Sequence, residues 1–554
     1  MMELNDLSLD IANLLKGYGD GLFTPSDVLE TVEARIRRQP DHNAWITRLT
    51  PEQIQAYLDK LGPFDLEAKP LYGIPFAIKD NIDLAGVPTT AACPEYAYTP
   101  GQSAFVVQCL IDAGAIPVGK TNLDQFATGL VGARSPYGPG HNSFDYDYIS
   151  GGSSSGSAAS LAMGQVSFSL GTDTAGSGRV PAAFNNLVGL KPTRGWLSNR
   201  GVVPACRSLD CLSVFALCSD DAQHVLNVAG RFDAADEYAR PAPASEPAFD
   251  TDSFSFAVPR DNQLEFFGNE DGRELFYQAV AQLETLGGTK KEIDFEPFLE
   301  SARLLYEGPW VTERYVAIEG FLKSQPDAVF PVTRQIIEGG EFPSAADAFH
   351  SQYRLAALKR KTDPVWQEVD FVLTPTAGRC YTIKEVEADP IQLNSNLGYY
   401  TNFMNLLDFS ALAVPTGFHN NGLPFGVTLF APAFSDRALM AVGDRLHHSM
   451  VETMGATRQA LPQPMAQELA PGWTRVAVCG AHMSGLPLNH QLTDRGAYLL
   501  EKTHSSENYR LYALPGGPPF RPGMLRDEGG AAIEIEVWAI PLDQFGSFVA
   551  GIPA

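Results

Sequence analysis

The chain has 554 residues, 44% hydrophobic and 19% charged, an ordinary globular balance over a length that exceeds a single core. Its 65 acidic and 40 basic residues leave a formal charge of −25, which excludes a basic nucleic-acid groove and a polybasic membrane surface. Seven cysteines without a C-x-x-C pair predict reduced thiols in a cytoplasmic protein, with neither a zinc site nor a disulfide framework. The acidic start "MMELNDLSLD" does not read as a secretory leader, and no apolar run reaches the roughly 18 residues of a membrane span.

In chain order, "TPSDVLETVEARIRRQPDHNAWI" predicts an amphipathic helix capped by Ser26, with Glu30 in its first turns. From residue 71 short apolar runs alternate with helical patterns. "GIPFAIKD" and "GAIPVGKT" read as buried strands, with "SAFVVQCLIDAGA" as the helix between them. "QVSFSLGTD", "DFVLTPTA" and "FSALAVPTG" add strands bounded by Gly, Pro and Asp. The alternation predicts an α/β fold whose sheet is covered by helices on both faces. "ARPAPASEPAFDTDS", 239–253, reads as a surface loop inside one domain, and "QALPQPMAQELAPGW" as a linker. The expected organisation is a domain over 1–458, a linker over 459–472 and a small domain over 473–554, where "RVAVCGAHMSG" and "AAIEIEVWAIP" read as strands.

"GAIPVGKT", Gly114 to Thr121, matches the nucleotide-binding pattern G-x-x-x-x-G-K-[ST]. Such a loop must curl its amides around phosphates at a helix start, whereas Ala-Ile-Pro-Val suits a strand interior. Lys120 is then expected as a solvated lysine at a strand end. The alternative of a P-loop-like nucleotide binder rests on this stretch alone.

Nine serines lie between Ser150 and Ser177, with no histidine or glutamate among them. A serine nucleophile needs a base to take its proton. His141 in "GPGHNSFD" is the nearest histidine and reads as a loop-surface residue. Lys79 follows Ile74, Phe76 and Ile78 on a buried strand, and burial would lower its pKa and make it a base. Period-2 alternation sends Asp80 to the opposite face, so it need not pair with Lys79. From the residues alone, Lys79 is either that base or a strand-end lysine reaching solvent.

"GGSSSGSAASLAMGQVSFSLGTDTAGSGRVPAAFNNLVGLKPTRG", 151–195, closely resembles the signature segment of the amidase signature family of serine hydrolases. The resemblance implies that family's fold, with a mixed central sheet, and a triad of Ser177 as nucleophile, Ser153 held by a cis peptide, and Lys79 as base. It also implies an oxyanion hole from the amides of Thr174, Ala175, Gly176 and Ser177, with an acyl-enzyme on Ser177. The chain departs from the family's frequent Gly-Gly-Ser by carrying Ala175, a residue that tolerates positive φ poorly. The other serines read as small packing residues or helix caps, with Ser154 alone a candidate to support the triad.

"LLYEGPWVTERY", 304–315, offers Tyr306 and Arg314. Gly308-Pro309 reads as a helix start with Pro309 at the first position, Tyr306 just before it and Arg314 about two turns along. Arg314 is either a bidentate grip for a carboxylate or a surface partner of a glutamate. Within the family, the arrangement is similar to the allophanate hydrolases, in which a tyrosine and an arginine at this spacing bind the substrate carboxylate. "TGLVGARSPYG" is similar to their substrate loop, with Gly129 a backbone contact. "GAHMSGLPLNHQLTDRGAYLL" and "NYRLYALPG" are similar to their β-rich C-terminal domain of γ-glutamyl cyclotransferase type. This resemblance implies hydrolysis of allophanate to ammonia and N-carboxycarbamate, a homodimer, and a functional link to a biotin-dependent urea carboxylase; no ligand spacing in the sequence calls for a metal or cofactor. His482 and His490 are candidates to help the product lose CO₂, against readings as a turn and a helix-face histidine. The chain ends at "FVAGIPA", where members of that group continue, so an incomplete small domain is expected. The alternative within enzymes is an amidase of another small carboxylated or aliphatic amide.

Overall fold

Strand β2, Pro75–Lys79, lies between β3, Ile116–Thr121, and β4, Phe168–Asp173, parallel to both in a computed structural model of the chain. Every residue of the three strands is buried, including the polar Lys79, Lys120, Thr121, Ser169, Thr172 and Asp173. Phe76 and Phe168 stack across the β2–β4 pair with ring centroids 5.1 Å apart. The structure describes residues 6–39, 42–243, 246–247, 249–464, 469, 472–516 and 522–552.

The remaining strands of this sheet are β1, Trp45–Arg48; β5, Val188–Lys191; β6, Cys211–Ala216; β7, Phe254–Pro259; β8, Gly288–Ile293; β9, Phe371–Pro375; β10, Phe409–Phe418; and β11, Pro424–Pro432. The eleven strands run in the order β1-β3-β2-β4-β6-β5-β10-β11-β9-β7-β8. The sheet is mixed: β7 and β9 are also parallel, whereas β4–β6, β5–β6, β5–β10, β10–β11 and β9–β11 are antiparallel. The helix Ser155–Ala162, built of Ser, Gly and Ala with one Leu, is buried along its whole length.

Three expectations change. The first long helix is Pro25–Arg38, and its cap is Thr24, not Ser26: Pro25 occupies the first helical position, so the cap falls earlier. Thr24 Oγ1 accepts the Asp27 amide at 3.3 Å while the Asp27 carboxylate accepts the Thr24 amide at 2.8 Å. Lys120 is fully buried rather than solvated, because residues 88–90 cover the end of β3. Its Nζ lies 3.2 Å from Asp80 Oδ1 and donates to Thr89 Oγ1 at 3.0 Å. "GAIPVGKT" is thus a turn at Gly114 followed by a strand interior, and it has no helix start on which to cradle a phosphate.

The last change concerns organisation. The chain divides into two units, Met1–Pro241 with Ser255–Met465, and Ala242–Phe254 with Ala466–Ala554. The stretch read as a loop of the first domain therefore belongs largely to the second unit, where Glu246 O accepts Trp473 Nε1 at 3.2 Å. Of the expected linker, Gln459–Ala460 pairs with Thr453–Met454, and residues 465–468, 470 and 471 lie outside the described residues. The second unit contains a three-stranded antiparallel sheet with Glu534–Pro541 between Trp473–Val478 and Tyr498–His504. A ribbon of Tyr509–Ala513 and Pro522–Arg526 accompanies it, and Val478, Leu492, Trp538, Ile540 and Phe548 form its core. All seven cysteines are free. No helix among the described residues is long and apolar enough to cross a membrane.

Candidate active site

The end of β2 delivers Lys79 into the first unit's interior, where it is fully buried. Its Nζ lies 2.8 Å from Ser153 Oγ and 2.7 Å from Thr172 Oγ1. Burial lowers its pKa to about 7, against the upward pull of Asp124, Asp210 and Asp173. It forms no ion pair among the described residues, because Asp80 on the other face is taken by Lys120. The strand-end lysine of the sequence is therefore enclosed, and its ammonium gives up its proton far more readily than an ordinary lysine. The peptide Gly152–Ser153 is cis. Thr172 carries no signal in the sequence. Ser154 bridges to it through the backbone, its Oγ donating to Thr172 O at 3.3 Å.

β4 ends at Asp173, and the chain turns through Thr174, Ala175 and Gly176 to Ser177. Asp173 holds this turn. Its Oδ1 accepts the Gly176 amide at 2.9 Å, its Oδ2 accepts the Gly178 amide at 3.0 Å, and Arg179 grips both oxygens at 3.0 and 2.9 Å. The Gly176 N–H expected in the oxyanion hole is thus already committed to a carboxylate. The amides of Thr174, Ala175 and Ser177 have no acceptor among the described residues. The positive φ of the turn falls on Gly176, at 131°, and not on Ala175, so the alanine is accommodated without strain. The Thr174 hydroxyl donates to Asp210, a buried carboxyl that burial pushes upward.

Ser177 Oγ donates to Gly129 O at 3.4 Å. Gly129 lies in the loop expected to contact substrate, and Asp124 organises that loop by accepting the amides of Gly132 and Arg134, each at 2.9 Å. The Asp124 amide donates to Ser153 O at 3.0 Å, which joins the loop to the segment that carries Ser153.

Tyr306 and Arg314 also meet here, from elements differently placed than expected. Tyr306 lies in the last turn of the helix Glu296–Glu307, Gly308 closes that helix, and Pro309 caps the next, Trp310–Ser324. Arg314 is the fifth residue of its helix and so about one turn along it, not the two expected. It is 2% exposed, so the surface-pair reading fails, and its neighbour Glu313 is engaged by Ser208 instead. Arg314 Nη1 donates to Ala127 O at 3.3 Å and to Thr128 Oγ1 at 3.2 Å. Nη2 lies 3.5 Å from Tyr306 Oη, and Nε is buried with no hydrogen-bond partner. One edge of the guanidinium is therefore anchored, while on the other Nε is unpaired and Nη2 meets only the Tyr306 phenol. That edge has the geometry of a two-point carboxylate grip. Although burial opposes its charge, Tyr306, Cys206, Asp210 and Glu313 hold Arg314 cationic.

His141 stays out of the site, its ring stacked on Tyr146 with Nδ1 2.7 Å from Tyr146 O. In the second unit, His482 Nε2 lies 3.0 Å from Gln491 Oε1, and His490, at the start of the short helix His490–Thr493, has Nδ1 2.9 Å from Pro487 O.

The family model described as Amidase matches residues 27–440, and that described as Allophanate hydrolase C-terminal domain matches residues 474–554. The chain is 44% identical over 531 residues to a urea amidolyase of Saccharomyces cerevisiae, a match covering 93% of this chain and 29% of that protein. A urea amidolyase of Lachancea kluyveri is 41% identical over 555 residues, 96% of this chain and 30% of its own. The chain thus spans about three tenths of the length of the urea amidolyases it matches. Among solved structures, an allophanate hydrolase from Kluyveromyces lactis superposes with a TM-score of 0.87 at 42% identity, covering 99% of this chain and 92% of its own.

Proposed function

The chain belongs to the amidase family, and from that premise we propose that it hydrolyses the terminal amide of allophanate (urea-1-carboxylate), releasing ammonia and N-carboxycarbamate. The observation that carries this reading is the open Nε–Nη2 edge of buried Arg314 beside Tyr306, joined through Thr128 to Gly129 and the Ser177 hydroxyl. An amide with a carboxylate close to its carbonyl matches that arrangement, and a neutral aliphatic amide leaves the guanidinium edge unpaired. The 42% identity to a K. lactis allophanate hydrolase over nearly the whole chain supports the same substrate.

Neutral Lys79 takes the proton of Ser153, which takes that of Ser177 as its Oγ leaves Gly129 O and attacks the terminal carbonyl. The amides of Thr174, Ala175 and Ser177 hold the oxyanion, each worth about 2.7–4 kcal/mol. The relay in reverse protonates the leaving nitrogen, the C–N bond breaks, and ammonia departs from a carboxylated carbamoyl-Ser177. Water, deprotonated by the same relay, releases N-carboxycarbamate and restores Ser177. The product then loses CO₂, with His482 and His490 as candidate helpers. We further propose a cytoplasmic homodimer that acts after a biotin-dependent urea carboxylase.

The test is ammonia release from freshly prepared allophanate by the wild type and by Ser177→Ala. Release that the substitution abolishes supports substrate and nucleophile together. No release from allophanate, with release from neutral amides, would overturn the carboxylate reading.

A further inference from the structure

Thr128 sits between the carboxylate grip and the nucleophile. It is 1% exposed, and its hydroxyl and carbonyl are both engaged. The hydroxyl accepts Arg314 Nη1 at 3.2 Å and donates to Phe126 O at 3.1 Å. The carbonyl accepts Arg134 Nη1 at 2.9 Å, and Arg134, itself buried, is tied by Nη2 to Pro390 O at 2.6 Å. The next residue is Gly129, whose carbonyl carries the Ser177 hydroxyl. Thr128 thus shares with Ala127 O the hold on one edge of Arg314 and begins the backbone segment against which Ser177 rests.

The turn leading into Thr128 is held in a costly shape. Phe126 and Ala127, neither of them glycine, have φ of 51° and 52°, a left-handed pair that persists only where its surroundings dictate it. The surroundings are visible. The Phe126 ring packs edge-on against Tyr96 at 5.2 Å and beside Phe321 at 6.0 Å, and Phe321 lies on the helix that carries Arg314. Gln125 is bound on both sides, its Oε1 accepting the Phe330 amide at 2.6 Å and its Nε2 donating to Ala328 O at 3.3 Å. Turn and helix therefore hold one register.

Resting on the carboxylate reading above, we propose that Thr128 is a positioning residue that sets the span between the Arg314 grip and Ser177. That span confines the site to amides with a single atom between the carboxylate and the scissile carbonyl. Allophanate and malonamate have one such atom, and succinamate has two. With Nη1 pinned to the turn, Arg314 cannot retreat to admit the longer acid. Without the Thr128 hydroxyl, the guanidinium keeps only the 3.3 Å contact to Ala127 O on that edge and gains freedom to swing.

The experiment compares kcat/KM for malonamate and succinamate in the wild type, Thr128→Val and Thr128→Ser, with purified full chain and ammonia as the readout. The ratio of the two values is independent of how much enzyme is active, so a purely structural defect does not move it. The expected result is a wild type that favours malonamate, a ratio at least about fivefold lower in Thr128→Val, and recovery of most of it in Thr128→Ser. A ratio unchanged in Thr128→Val overturns the proposal while leaving the carboxylate reading intact. A wild type inactive on allophanate and on both acids overturns the carboxylate reading and this proposal with it. Should Thr128→Val fail to fold, Thr128→Ala takes its place; if neither folds, the role is structural and the proposal falls.

Discussion

Lys79 Nζ and Ser153 Oγ lie 2.8 Å apart in a buried setting where the lysine has no carboxylate partner among the described residues. Both facts matter for chemistry. A lysine paired with an acid would stay charged and could take no proton, whereas burial brings this one to about 7.

A rise of kcat/KM through about pH 7, levelling above it, is therefore expected, because the proposed relay needs the unprotonated amine. Stability should move in the same direction. The folded pKa lies below the ordinary lysine value of 10.5, so the unfolded chain binds more protons between about 7 and 10.5, and stability rises with pH across that window. Lys79→Met should abolish turnover and raise the thermal midpoint at pH 7. A pH profile flat from about 5.5 to 9.5 would remove Lys79 as the base.

Gly176→Ala tests the turn that presents Ser177. At φ 131° a side chain is strained, and a Cβ there would collide with Thr401 Oγ1, which is itself committed to Ala175 O at 2.6 Å. The backbone cost alone is about 1–3 kcal/mol. Urea unfolding should show a loss at least that large, together with a fall in kcat. A variant as stable and active as the wild type would mean that the turn adopts another conformation.

Ser153 and Ser177 stand out in the sequence because a dense pattern of glycines and serines at family spacing surrounds them, whereas Lys79, from a separate stretch upstream, is singled out only by the resemblance to the family. Thr172 and Asp124 do not stand out, since nothing local tells a threonine on a buried strand which side chain it meets across the sheet. Lys120 misleads for a related reason: whether a strand-end lysine reaches water depends on a covering loop, here residues 88–90, some thirty positions away. Gly308-Pro309 reads as one boundary but is two, a helix end and a helix start, and that puts Tyr306 inside the preceding helix rather than before one. The Gly176 amide looks free in the sequence because the carboxylate that claims it, Asp173, reads there only as a strand end.

Lys120→Met should destabilise the fold by about 3–5 kcal/mol, the cost of leaving one member of a buried ion pair alone. Asp80 would keep the amide and hydroxyl of Thr90 as donors but lose the cation 3.2 Å away. Adding Asp80→Asn should recover part of the loss, which a urea midpoint series on the two single variants and the double variant would measure. Equal midpoints for wild type and Lys120→Met would show that the pair contributes nothing.

Arg314→Ala should act on binding and on pH together. Losing the two open donors of a charged group raises KM for allophanate by about one to two orders of magnitude, with a smaller change in kcat. Arg314 also contributes to keeping Lys79 neutral, since its positive charge is one of the influences that lower the lysine. Its removal should therefore move the acid limb of the kcat/KM profile to higher pH. Arg314→Lys restores the charge without the two-point fork, so it should return the limb toward its original position while leaving KM high. Steady-state ammonia release across pH in the three enzymes separates the two effects. A KM unchanged in Arg314→Ala removes Arg314 from the substrate. A raised KM with an unmoved limb keeps the grip and ends the electrostatic link to Lys79.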